Sequence, residues 1–354
     1  MLFDTVDWSA CRQLLENLAY VLDGRELDYL LVNHLEPDHA ACIEEILLRH
    51  PKVKLISNEK AFMLMRQFGF HVDGHECIEV KEGDTFSFGK HTVTFVGAPM
   101  VHWPEAMVTL DVTDGVLFSA DAFGTFGALD GKLFADEVDF ERDWLDDARR
   151  YLTNIVGKYG PHIQLLLKKA AGVLDQIKYI CPLHGPVLTG DLGKYLNYYD
   201  LWSSYKAEEP EKVLVASASI HGHTRAAAHI LAEKLRAKGA RVVEMDLTRT
   251  DVSYAVTEAF RCGKTVLACA TYDGFLFPPM ENLLAHLKTK AFQSRTIALM
   301  ENGTWAPMAA KLMRAELDGM KNITVCDTVV TLRSASNAAA EAQMDAMVDE
   351  LLSK

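Results

Sequence analysis

The sequence predicts an α/β protein of two domains, and three observations carry that expectation. The C-terminal half alternates apolar strands with amphipathic helices. The N-terminal half mixes strands and helices less regularly, and it crowds acids and histidines behind an apolar run in "NHLEPDHA" (33–40). Between the halves an aromatic-rich helix, "KYLNYYDLWSSYK", runs into the charged, proline-bearing "AEEPEK". Such a shift in composition marks a junction, which places the domains at 1–207 and 208–354.

The C-terminal half is the more regular. "KVLVAS" (212–217) is an apolar strand, and "TRAAAHILAEKLRAKG" (224–239) is an amphipathic helix closing at Gly239. "ARVVEMDL" with "SYAVTEAFRC", "KTVLACA" with "ENLLAHLKTKAF", "RTIALM" with "APMAAKLMRAEL", and "ITVCDTVV" with "NAAAEAQMDAMVDELL" repeat the unit, giving five strand–helix pairs. Short strands that are apolar throughout, separated by helices, form a parallel sheet covered on both faces. Five such units predict a flavodoxin-like, doubly wound, five-stranded sheet.

In the N-terminal half, "LDYLLVN" and "VKLISN" are strands, each followed by a helix ("AACIEEILLRH", "AFMLMRQFGF"). From Cys77 to Ala120 successive strands follow one another. Mixed elements of this kind suit an α/β sandwich.

Composition narrows the function. A chain of 354 residues with 49% hydrophobic side chains can bury two cores. A net charge of -13 argues against gripping nucleic-acid phosphates. No apolar run reaches the length of a membrane span, and "MLFDTVDWSACRQ" lacks the pattern of a signal peptide. The seven cysteines are odd in number and never spaced CxxC, which predicts reduced cytoplasmic thiols and excludes a zinc ribbon or a fused rubredoxin-type iron site.

In "HLEPDH", His34, Glu36 and Asp38 sit at i, i+2 and i+4 behind a strand. In an extended segment that spacing puts all three on one face. Pro37 is expected to block a helix there, and His39 needs a turn to join. A polar loop with unrelated histidines is the plain alternative for one such pair. It weakens because His102 ("FVGAPMVHWPEAM"), Asp121 ("GVLFSADAFGTFG") and His184 ("IKYICPLHGPVL") each follow an apolar strand, where sites collect in α/β sheets. Four histidines and three carboxylates are too many for one tetrahedral zinc and suit two metals sharing a carboxylate. Iron, manganese and zinc all accept such donors.

The order HxExDH…H…D…H resembles the metallo-β-lactamase fold, a layered αββα domain whose zinc hydrolases carry HxHxDH. Here Glu36 replaces the second histidine. With "HWPE" around His102 and "SADAFGTFG" around Asp121, this resembles the flavodiiron proteins. The resemblance implies two non-haem irons. One would be held by His34, Glu36 and His102, and the other by Asp38, His39 and His184, with Asp121 bridging. Members of that family carry a few dozen residues ahead of a strand like "MLFDTVD", so the first strands of this domain are expected to be missing.

In the C-terminal half, "VASASIHGHTRAAA" joins the first strand to its helix. Ser217, Ser219, Gly222 and Thr224 suit a phosphate at a helix N-terminus, with Ile220, His221 and His223 in the same loop. A plain strand–helix turn capped by Thr224 is the alternative. The loops "ATYDGFLFPPM" (Thr271, Tyr272, Asp273, Gly274) and "ENGTWAPMA" (Asn302, Gly303, Thr304, Trp305) follow the third and fourth strands. In flavodoxin-like domains these loops border the flavin ring. Aromatic faces at Tyr272 and Trp305, and close backbone approach at Gly274 and Gly303, predict an FMN site. "SIHGHT" resembles the family's SxxGNT, with His223 in place of asparagine.

The resemblance implies a cytoplasmic oxidoreductase that passes electrons from rubredoxin, another small donor or a reductase through FMN to a diiron centre, reducing O2 to water or NO to N2O. It also implies a head-to-tail homodimer or a dimer of dimers, with no nucleic-acid or membrane partner. Two other functions compete. One is a dizinc hydrolase fused to a flavodoxin-like domain. The other is a non-enzymatic electron-transfer flavoprotein.

Overall fold

A computed structural model describes all 354 residues, Met1–Lys354. The chain forms two compact units, one of Met1–Leu152 with Pro161–Asp200, the other of Thr153–Gly160 with Leu201–Lys354.

The first unit holds two sheets. One is parallel, in the order β1 (Leu2–Phe3), β2 (Tyr29–Leu31), β3 (Lys54–Ser57), β4 (Cys77–Glu79). The other runs β5 (Thr85–Phe88), β6 (His91–Gly97), β7 (Met107–Asp111), β8 (Val116–Phe118), β9 (Tyr179–Cys181), antiparallel except for the parallel β8–β9 pair. Strand parity builds the layers. Leu30 of β2 and Leu55 of β3 join a core with Leu18, Ile43, Ile46 and Met65 of the covering helices. Their neighbours Leu31 and Ile56 face the other way, onto Val93, Phe95 and Met107 of the second sheet. Each fully buried leucine or isoleucine contributes about 1.5–3 kcal/mol relative to exposure. Phe3 stacks on Phe118 with ring centroids 3.8 Å apart, so even the short edge strand β1 is tied across the sandwich. These layers are those of the metallo-β-lactamase-like fold.

The second unit is a single parallel sheet in the order β11 (Val242–Asp246), β10 (Glu209–Ala218), β12 (Cys262–Tyr272), β14 (Thr296–Asn302), β15 (Thr324–Leu332). The short β13 (Phe275–Leu276) folds back antiparallel on the end of β12. This is the flavodoxin-like order 2-1-3-4-5. On β10, Leu214 and Ala216 pack under the helices Val252–Arg261, Pro278–Thr289 and Ala309–Leu317, while Val213 and Val215 face His223–Ala237 and Ala338–Ser353. Strands buried on both faces are why the sequence shows unbroken apolar runs here. No helix of the protein is long and apolar enough to cross a membrane.

Candidate metal centre and cofactor pocket

All seven predicted metal-type side chains converge at strand ends of the first unit. His34 and Glu36 follow β2, His102 lies between β6 and β7, Asp121 follows β8, and His184 follows β9. The expectation that Pro37 forbids a helix is corrected. Pro37 occupies the first turn of the short helix Pro37–Ala40, where its missing N–H is no loss. The strand itself ends at Leu31, the chain bends at Asn33 and Glu36, and the helical turn that follows brings both Asp38 and His39 inward.

Two sets of donors result, His34, Glu36, His102 and Asp121 in one, and Asp38, His39 and His184 in the other. Asp121 stands between them. Its Oδ2 lies 3.0 Å from His102 Nε2 and 3.3 Å from His34 Nε2, while its Oδ1 lies 3.2 Å from His39 Nε2 and 3.6 Å from His184 Nε2. Glu36 Oε2 is 2.8 Å from His102 Nε2, and Asp38 Oδ2 is 3.2 Å from His184 Nε2. His39 Nε2 and His184 Nε2 are 2.9 Å apart, aimed at one region.

Burial makes this arrangement costly without a cation. His34 Nε2, Asp38 Oδ1 and both oxygens of Asp121 are buried and make no properly angled hydrogen bond, so the Asp121 carboxylate is held only by its close charged contacts with the surrounding imidazoles. Burial disfavours charge on His34, but the Asp121, Glu105 and Glu36 carboxylates around its ring outweigh it and hold the imidazole up at about 11. His102 is pushed to about 9 in the same way, against its own desolvation, by Asp121 and Glu36. His102 and His34 in turn hold Glu36 down at about 2. Asp121 is drawn far below the usual carboxylate range by His102, His34 and His39, although burial opposes it. Protons are thus supplying positive charge that this cluster demands. Metal cations supply the same charge to neutral imidazoles and ionised carboxylates, so the residues present fit a two-metal group.

Several residues that hold the cluster were not singled out from the sequence. Asp4 has a left-handed backbone (φ 52°) and is buried. Its Oδ1 accepts from the Asn33 and His34 amides at 2.6 and 3.2 Å, and its Oδ2 accepts from Asn33 Nδ2 at 2.9 Å. Thr5 donates through Oγ1 to the His39 carbonyl at 2.7 Å. The ligand loop is therefore gripped at both ends by the residues that follow β1. Burial pushes the Asp4 carboxyl up, against those bonds. Glu105 contacts His34, and the ring of Tyr151 packs 5.2 Å from that of His184 with its hydroxyl buried and unpartnered. Burial pushes the Tyr151 phenol up as well. Of these, only Glu105 had a sequence signal, in the tetrapeptide "HWPE". The others are far from the motif in the chain.

In the second unit a cavity of about 470 Å³ opens at the C-terminal ends of the strands. It is lined by Ser219, Ile220, His221, His223 and Thr224, by Thr271, Tyr272, Asp273 and Gly274, and by Asn302, Gly303, Thr304 and Trp305. Two predicted residues lie elsewhere. Ser217 is buried in β10, where its hydroxyl faces the Met245 carbonyl at 3.5 Å. Gly222 is the N-cap of His223–Ala237, with φ 90°, so Thr224 falls inside the first turn rather than capping it. Ser219 Oγ accepts from the Gly222 amide at 3.0 Å and fixes the loop. Trp305 is 86% exposed, which removes core packing as its role. A Cβ on Gly303 would meet Pro307 Cα at 2.7 Å, so this tight turn requires glycine. The cavity also takes in Ser334, which follows β15. Its amide donates to Asn302 Oδ1 at 3.0 Å and its hydroxyl lies 2.8 Å from Thr304 Oγ1. A position after the fifth strand was the available signal for it. Hydroxyls at a helix N-terminus, a close backbone approach and aromatic faces fit a flavin phosphate and ring.

Comparison with known proteins now bears on this geometry. Residues 1–185 match the model of the "ODP family beta lactamase". The solved rubredoxin oxygen:oxidoreductase of Desulfovibrio gigas superposes with a TM-score of 0.92 at 26% identity, covering 99% of this chain and 86% of that one. The chain belongs to the flavodiiron family. The flavodiiron protein of Giardia intestinalis shares the fold, with a TM-score of 0.91 at 24% identity over 98% of this chain and 85% of that one. A curated relative, the anaerobic nitric oxide reductase flavorubredoxin of Aeromonas hydrophila, is 27% identical over 320 residues. The match takes in 90% of this chain and 64% of the relative, so the chain spans under two thirds of that flavorubredoxin's length.

Proposed function

We propose that this flavodiiron protein is an oxidoreductase that reduces O2 to water, NO to N2O, or both, with electrons delivered through FMN to a diiron centre. The observation that carries the reading is the split of Asp121, one carboxylate oxygen toward each set of histidines. The names of the two relatives support the two substrates, since one is an oxygen oxidoreductase and the other a nitric oxide reductase.

His34, Glu36 and His102 would hold one iron, Asp38, His39 and His184 the other, with Asp121 shared. FMN would occupy the cavity bounded by Ser219, Thr224, Tyr272 and Trp305. When bound, these groups supply the electrons and the open coordination positions for a diatomic substrate. The chain's own residues do the rest. Asp4 and Thr5 hold the ligand loop in place, leaving little reorganisation for binding. Buried walls around His34 and Asp121 exclude bulk water. The Tyr151 ring packs beside His184, and burial together with the nearby Asp121 carboxylate keeps its hydroxyl protonated. Glu36 is the feature that disfavours a dizinc hydrolase, because anionic oxygen donors suit iron cycling through its ferric state. A small donor protein or reductase would reduce the flavin, and a head-to-tail dimer, single or doubled, is proposed on the family resemblance.

The test is metal and flavin content together with anaerobic gas consumption. Two irons and one FMN per chain, with donor-dependent uptake of O2 or NO, is the expected result. Zinc with no flavin overturns it.

A further inference from the structure

The two donor sets differ in what stands behind them. Glu105 is 2% exposed, and its Oε1 lies 2.9 Å from His34 Nδ1 while accepting from the Leu35 amide at 3.0 Å. Its other oxygen, Oε2, is buried and makes no hydrogen bond. All of this carboxylate's directed interaction therefore falls on one imidazole and the amide beside it. A carboxylate only accepts, so Nδ1 carries the proton and Nε2 is left facing Asp121 and Glu36. No other histidine of the cluster has such a partner. The ring hydrogen bonds of His102, His39 and His184 run only inward, to Glu36 and to each other. The His34 side chain is fully buried, whereas that of His184 is 30% exposed.

We infer that Glu105 is a positioning residue that makes the metal centre inequivalent, so that the His34–Glu36–His102 set holds its metal more tightly than the Asp38–His39–His184 set. The inference rests on the two-metal reading above. A carboxylate behind a ligating imidazole fixes the tautomer, locks the ring and raises the basicity of the coordinating nitrogen. Removing such a partner costs about 10–100-fold in metal affinity. The amide bond to Leu35 adds a backbone anchor that a side chain alone would lack, so ring and loop move together.

The experiment loads the full chain with ferrous iron under argon, then challenges it with an excess of a ferrous chelator and follows release by absorbance. The wild-type protein is expected to release one iron quickly and one slowly. His184→Ala should keep only the slow iron, which assigns that phase. Glu105→Gln retains an acceptor for the Leu35 amide but removes the charge, and should speed the slow phase about 10–100-fold while leaving the fast phase alone. ⁵⁷Fe Mössbauer spectra of the same samples should change for one iron and not the other. Single-phase release from wild type overturns the inference, as does a Glu105→Gln protein whose slow phase and spectrum are unchanged. A wild-type chain that retains fewer than two irons on loading instead overturns the two-metal reading itself.

Discussion

In the first unit Asp121 keeps both carboxylate oxygens buried without a hydrogen bond; in the second, Trp305 stands 86% exposed at the rim of a cavity. Both sites lie at strand ends, but they are built from opposite materials. The metal-type cluster is made of ionisable side chains gathered around the fully buried His34 and Asp121, and it needs a charge to complete it. The cavity is made of loop backbone, hydroxyls and aromatic faces, and it is satisfied by its own hydrogen bonds, such as those of Ser334 with Asn302 and Thr304. The difference teaches that the first site stores unfavourable energy in the fold, whereas the second stores little. Metal loss should therefore disturb the first unit much more than flavin loss disturbs the second.

Substitutions on either side test that contrast. The largest effect is expected at Asp121→Ala, which removes the carboxylate common to both sets. Retained iron should fall from about two per chain to well under one, since each metal loses a donor. Elemental analysis after gel filtration measures this, and full iron retention would remove Asp121 from the centre. Asp4→Ala comes next. It strands the buried Asn33 and His34 amides and the Asn33 side chain, at about 1–3 kcal/mol per orphaned group, less where water enters. Denaturant unfolding of the metal-free protein should show several kcal/mol lost, and a loss under 1 kcal/mol would mean that the loop is not held from β1.

On the other side of the comparison, Trp305→Ala should leave the melting temperature almost unchanged, because the ring packs on little. Flavin affinity should drop about two- to twelve-fold, from the lost stacking of about 0.5–1.5 kcal/mol. Fluorescence titration of the apoprotein with FMN reads this directly, and an equal fall in stability would make Trp305 a structural residue.

The smallest effect is a pH dependence remote from both sites. Glu350 accepts from the Asp327 and Thr328 amides and pairs with Lys354. Burial opposes ionisation, but Lys354, Thr328 and Asp327 together hold the carboxyl down at about 2. A depressed pKa stabilises the folded state above the unfolded value and is lost as pH falls. The stabilisation should be complete above about 4.5 and vanish as pH falls toward about 2. Glu350→Gln should cost about 1 kcal/mol at pH 7 and nothing near pH 2. A cost that persists unchanged at low pH would mean that packing, not charge, is what the carboxylate contributes.

The parallel sheet of the second unit was legible because its strands are buried on both faces, so each one writes an apolar run between two amphipathic helices. The seven metal-type residues were legible by kind, since histidines and acids behind strands have few other reasons to gather. The turn at Pro37 was misread because a proline that blocks a helix interior is favoured at its first position, and only the neighbouring chain decides which position it takes. Ser217 lies near the end of β10 rather than in the loop that follows, and its hydroxyl faces the Met245 carbonyl.

Reading the sequence alone settled the doubly wound sheet of the second unit, the inventory of donors and the three loops that rim most of the cavity, because periodicity and residue chemistry are local properties. Only the tertiary structure decided that Asp121 divides its oxygens between two sets of histidines, that Asp4 and Thr5 clasp the ligand loop, and that Glu105 stands behind His34 alone. Those contacts join residues far apart in the chain. Their distances depend on how the two sheets of the first unit pack, and no single stretch of sequence carries that information.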